Sequence, residues 1–93
     1  MSASLEKVAD MLHMKKEELT AEGLRAYLKG KLRELMAEIN SIYLKYGVSS
    51  LEELDEKINR GERGETETFG DFTKLDNLEA EAEKIKGVLE SLE

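Results

Sequence analysis

Cysteine, proline, tryptophan and glutamine are all missing from this 93-residue chain, and each absence removes a class of structure or chemistry. Without cysteine there is no disulfide, no thiol nucleophile and no zinc-thiolate site. Without proline there is no proline-rich linker. Aromatic residues are few, three Tyr and two Phe, and histidine occurs once, as His13. No apolar run approaches the roughly 20 residues that a membrane-spanning helix needs. The opening stretch MSASLEKVADML carries acids inside its short apolar segment, unlike a secretory signal. The expectation is a soluble, cytoplasmic protein without a membrane partner. One domain of this size buries only a modest share of its surface when folded alone, so a partner subunit is also expected.

What the sequence has in quantity is charge. Charged residues make up 38% of it and the formal net charge is −7. Many Glu and Lys beside few amide side chains resemble the composition of proteins from hot environments. The charge is unevenly placed: residues 1–46 hold eight basic and seven acidic residues, residues 47–93 six and fourteen. An acidic C-terminal half repels nucleic acid and anionic membranes and attracts basic proteins. The plainer reading is a solvated helix surface that keeps the protein in solution.

Apolar spacing sets the fold. Leu28, Leu32, Leu35, Ile39, Ile42 and Tyr46 recur every three or four residues, as do Leu75, Leu78, Ala82, Ile85, Leu89 and Leu92. Neither stripe is stable in water, so the two helices should pack as an antiparallel hairpin. Tyr27, Met36, Tyr43 and Val88 flank the stripes, where a second protomer would cover them and build a homodimeric bundle. The fold class is therefore all-α. Residues 1–19 should form a short N-terminal helix capped by Ser4 and a turn, and 20–46 a long helix from Thr20 to a stop at Gly47. Residues 47–60 should form a short helix entered through a Ser49–Glu52 or Ser50–Glu53 capping box. Residues 61–72 read as a glycine-rich acidic loop and 73–93 as the C-terminal helix. Gly30 should weaken the long helix by about 1 kcal/mol unless another chain approaches there.

Catalytic chemistry finds little support. Asp10 and His13 have the carboxylate-imidazole spacing of di-iron bundles, but neither seam supplies the further inward carboxylates such a site needs. His13 is read as a surface or helix-end residue, and no metal or other cofactor is expected. Acid pairs such as Glu17–Glu18 and Asp55–Glu56 fall on exposed faces, where general acid-base work lacks the desolvated pocket it requires. Gly61, Gly64 and Gly70 match no phosphate-binding spacing. Residues 8–33 outline a helix-turn-helix with Arg25, Lys29, Lys31 and Arg33 on its second helix, but Glu17, Glu18 and Glu22 interrupt the basic patch. Phe69 and Phe72 stand three residues apart at the mouth of the last helix. Phe72 suits a hydrophobic staple, and Phe69, among acids and glycines, suits an aromatic anchor for a partner.

The segments EGLRAYLKGKLRELMAEI, KYGVSSLEELDEKINRGE, the acidic turn with its aromatics and LDNLEAEAEKIKGVL together resemble a group of small archaeal proteins of antitoxin type. Tyr46-Gly47 through Glu53 is the sharpest part of that likeness, and the turn departs from it by carrying Phe in place of Trp. The resemblance implies a non-catalytic partner of a small toxin, often a nuclease. A nuclease presents a basic surface, which an acidic helical arm can cover. The expected contact residues are Phe69, Asp71, Glu52, Glu53, Glu56, Asp76, Glu79 and Glu83. The alternatives are a homo-oligomeric structural bundle and a small DNA-binding regulator.

Overall fold

The computed structural model describes residues 4–61 and 65–92. Four helices follow one another: α1 (Leu5–Met11), α2 (Lys16–Tyr46), α3 (Leu51–Asn59) and α4 (Glu65–Ser91). The described residues are all-α, without a strand.

Local chemistry accounts for most helix ends. The Ser4 hydroxyl accepts from the Lys7 amide and caps α1. That helix ends where His13 enters the left-handed region at φ 56°. This lets the Met14 amide reach back to the Ala9 carbonyl at 2.9 Å, the six-to-one bond of a Schellman turn. His13 therefore fills a position that usually takes glycine, at a helix end. The long helix begins at Lys16, four residues before the expected Thr20. Thr20 does not cap it, because its hydroxyl turns back onto the Lys16 carbonyl inside the helix. Gly47, at φ 64°, ends α2 in a second Schellman turn, with the Val48 amide on the Tyr43 carbonyl at 3.0 Å. A Cβ on Gly30 would meet nothing within 4 Å, so no part of this chain requires a glycine there. Ser50 caps α3 through the Glu53 amide, while the Glu53 carboxylate bonds the amide and hydroxyl of Ser49.

The largest departure concerns residues 61–72. Among the described part of that segment, residues 65–72 are the first two turns of α4 and not a loop. Residues 62–64 of the segment lie outside the described residues. The stripe of α4 that faces α2 continues backward from Leu75 through Phe72, Asp71 and Thr68, at helical spacing but without a leucine.

The core lies between α2 and α4. Leu35, Ile39, Ile42 and Tyr46 are buried against Leu75, Ala82 and Ile85, and Val48 and Leu54 close one end. Leu28, Leu32, Leu78 and Leu89 are only partly buried. Burial is thus deepest where α3 covers the hairpin and shallower toward the far end. The molecule measures 60 × 29 × 16 Å. One helix with its side chains is about 10–12 Å across, so the helices form a single layer.

Leu75 has no exposed surface, whereas Leu44 is 84% exposed. Leu75→Ala should cost about 2–5 kcal/mol of unfolding free energy. Leu44→Ala should change it by less than about 0.5 kcal/mol. Urea titration of both variants followed by helical ellipticity checks this; equal effects would mean that the core is placed wrongly.

Candidate protein-binding face

Three residues on an α-helix turn the chain by 300°, so Phe69 and Phe72 point about 60° apart. That is enough to separate them. Phe72 packs against the core cluster, while Phe69 is 66% exposed. Phe72, read as a staple at the mouth of the helix, is thus a packing contact of α4 with the core of the hairpin, and Phe69 has the exposure that an anchor needs.

Between these phenylalanines stands Asp71, expected to meet a partner. It is committed inside the molecule instead. Its carboxylate accepts a short hydrogen bond from the phenol of Tyr46 and an ion-paired bond from Lys45 Nζ at 2.8 Å. Both donors stabilise the ionised form and hold the Asp71 carboxyl below its ordinary value. Lys45 also reaches Glu67 at 2.9 Å and lies 5.4 Å from the centroid of the Tyr46 ring. Thr68, itself buried, hydrogen-bonds the same phenol. Burial, with Asp71 as acceptor, pushes the Tyr46 phenol up. From the α3 side, Lys57 Nζ donates to the Tyr46 carbonyl at 2.8 Å and satisfies one of the last acceptors of α2.

A second phenol-carboxylate contact lies further along the hairpin. Tyr43 donates to Glu79 at 2.6 Å. Burial first, then the Glu79 bond and the charges of Glu79 and Glu52, push the Tyr43 phenol up to about 12. Glu53 is likewise committed: the backbone and hydroxyl of Ser49 hold its carboxyl below the ordinary value. Three of the eight expected contact residues, Asp71, Glu79 and Glu53, therefore hold this chain together.

The other five are differently placed. Phe69, Asp76 and Glu83 are seven residues apart on α4, and all three are exposed, so they form one line along its outer face. Glu83 makes a loose pair with Lys86 at 3.7 Å. Glu52 and Glu56 are exposed one turn apart on α3. On the basic side, Arg25 donates to the Leu92 carbonyl at 3.1 Å and ties the two chain ends of the hairpin together. This takes one cation out of the helix-turn-helix outline. Among the described residues, no group of three or more His, Asp or Glu is arranged to hold a metal ion. No helix there is long and apolar enough to cross a membrane.

Sequence reasoning missed the lock of Tyr46, Lys45, Thr68 and Asp71. A signal was available: a tyrosine at a seam position brings a hydroxyl that must be satisfied when buried. An antiparallel register places it beside the first acids of α4.

The fold and these faces define a small one-layer helical hairpin protein with an acidic outer face. The chain belongs to the family described as the uncharacterized protein MJ0235 family, which it matches over residues 1–93. It is 30% identical over 76 residues to the uncharacterized protein MJ0235 of the archaeon Methanocaldococcus jannaschii, covering 82% of this chain and 93% of that protein. Neither name speaks of a toxin or of any partner. No solved structure matches the chain.

The Asp71 carboxyl and the Tyr43 phenol give stability opposite dependences on pH. The folded pKa of Asp71 lies below its ordinary 3.8, so its contribution is present above that value and lost as the pH falls through the folded value. The folded pKa of Tyr43 is raised from 10.0 to about 12, so its contribution is complete below pH 10 and lost as the pH rises to 12. Asp71→Ala should cost about 1–3 kcal/mol at neutral pH, since the buried Tyr46 phenol loses an acceptor, and should flatten the acid limb. Tyr43→Phe should make the alkaline limb shallower, the raised Tyr46 phenol supplying the rest. Denaturation midpoints measured across the pH range test both; limbs unchanged by either variant would exclude these contacts as their source.

Proposed function

We propose that this protein is a cytoplasmic, non-catalytic interaction module that binds a basic protein through the outer face of α4, in the manner of an antitoxin that covers a nuclease toxin. The observation that carries the reading is Phe69. A large aromatic side chain stands 66% exposed at the head of a line of acids, while Phe72, three residues on, is taken into the core. Aromatic side chains, phenylalanine among them, are enriched at protein interfaces relative to the rest of the surface.

The charge supports the same reading. Asp76 and Glu83 continue the Phe69 line, and Glu52 and Glu56 add two exposed acids from α3. Their field attracts a basic surface over a distance set by the ionic strength and speeds its encounter. The resemblance of residues 46–53 to proteins of antitoxin type is the support for a toxin as that partner. That segment builds the Gly47 turn and the α3 cap, so its part is to set α3 beside α4. The contact set is accordingly Phe69, Asp76, Glu83, Glu52 and Glu56, with Asp71, Glu79 and Glu53 as its internal supports.

Affinity capture from the source cells at low and moderate salt tests this reading. The wild-type protein should retain one basic protein, less of it at higher salt. Phe69→Ala combined with Asp76→Lys should lose it while keeping full helical ellipticity. The captured protein should arrest growth when expressed alone, and co-expression of the wild type but not of the variant should restore growth. Equal retention by both proteins would exclude the α4 outer face as the binding surface.

A further inference from the structure

The groove on the opposite flank of the hairpin stays open. Leu35 forms its floor, and α4 contributes Gly70, Thr73, Lys74, Asn77, Leu78 and Glu81 around a space of about 540 Å³. No residue of α3 lines it, because α3 sits on the side that carries Tyr43 and Glu79. Val88, 41% exposed, continues the same flank seven residues beyond Glu81.

Shape gives the first argument that another chain covers this flank. A compact protein of 10.5 kDa exposes about 5,400 Å². This chain exposes 6833 Å², with a radius of gyration of 19.2 Å against about 12 Å for a compact chain of its length. The surplus, roughly 1,400 Å², exceeds the approximately 800 Å² that each partner contributes to an ordinary interface. Domains bury their helices between two layers, and here there is only one.

Charge names the occupant. Lys74 and Glu81 are both exposed on the rim, and neither is in direct ion-pair contact among the described residues of its own chain, although the Lys74 charge acts on Asp71 one turn back. They stand seven residues apart, about 10 Å along the helix axis. Midway between them lie Asn77 and Leu78. A two-fold axis at that midpoint, with two α4 helices antiparallel, sets Lys74 against the partner's Glu81 and Glu81 against the partner's Lys74. A parallel pairing would set like charge against like. The rim is therefore complementary to itself, whereas a basic protein would meet Lys74 as a repulsive group.

We infer that this flank is a homodimer interface in which two copies pair α4 antiparallel about Asn77 and Leu78, with the partly buried Leu78 at its apolar centre and Lys74–Glu81 pairs on either side. Asn77 then faces Asn77 of the partner subunit, as buried amides do where they fix the register of paired helices. The inference is independent of the α4 outer face, since Phe69, Asp76 and Glu83 lie on a different line of the same helix.

Analytical ultracentrifugation of charge-reversal variants tests it. The wild type should sediment with twice the 10.5 kDa chain mass. Lys74→Glu alone and Glu81→Lys alone should each weaken the dimer about tenfold or more, because each places two like-charge pairs across the axis. Mixing these two variants restores both attractive pairs and should return the dimer, as should the double reversal in one chain. Recovery on mixing also shows that the single variants are folded. A monomeric wild type, or a dimer that both reversals leave unchanged, would overturn the proposal. A dimer lost in Phe69→Ala and kept in the reversals would overturn it too, by moving self-association to the outer face.

Discussion

A phenol taken out of water needs an acceptor, and for Tyr46 that acceptor is Asp71. Much of the hairpin follows from this one requirement. Tyr46 closes α2 one residue before the Gly47 turn, so the bond fixes which part of α4 lies beside the end of α2. Thr68 and Lys45 complete the arrangement from either side. With Thr68, Asp71 and Phe72 all turned toward α2, residues 65–72 are held as helix despite Gly70 and their acids. The same helical turn sends Phe69 outward. Exposure of Phe69 and internal use of Asp71 are thus two results of one geometry.

That geometry also explains what was legible in the sequence. The stripes from Leu28 to Tyr46 and from Leu75 to Leu92 could be read directly, because leucine and isoleucine at helical spacing have one stable arrangement in water. The ends at Ser4, Gly47 and Ser50 could be read because hydroxyl caps and a left-handed glycine act locally. The first turns of α4 could not. Their inward face is made of Thr68, Asp71 and Phe72, a set whose apolar period is broken by groups that are stable inside only through hydrogen bonds to Tyr46 and Lys45. Those partners lie about 25 residues away in the chain, beyond any local signal.

The start of α2 was missed for a related reason. Thr20 has the side chain of a cap, yet its hydroxyl is satisfied by the Lys16 carbonyl within the helix. Lys15 opens α2 without a side-chain cap, and Glu17 and Glu18 favour that end through the helix dipole. Of the acidic face expected from composition, the position along the chain was legible and the division of labour was not. A charge count does not distinguish Asp76, which is free to meet solvent, from Asp71 and Glu79, which are bonded to tyrosines.

The unequal covering of α2 divides a continuous helix into two thermodynamic units. From Leu35 to Tyr46 its inward side chains are buried under α3 and under α4 as far as Ile85, whereas Leu24, Leu28 and Leu32 keep part of their surface in water. Arg25 on the Leu92 carbonyl is a single polar tie at the far end. Amides of the C-terminal half of α2 should therefore exchange their hydrogens only when the whole molecule opens, and those of the N-terminal half through smaller openings that separate the far ends of α2 and α4. A single unbroken helix thus carries a hinge in free energy near Leu32, set by which neighbours each turn happens to have.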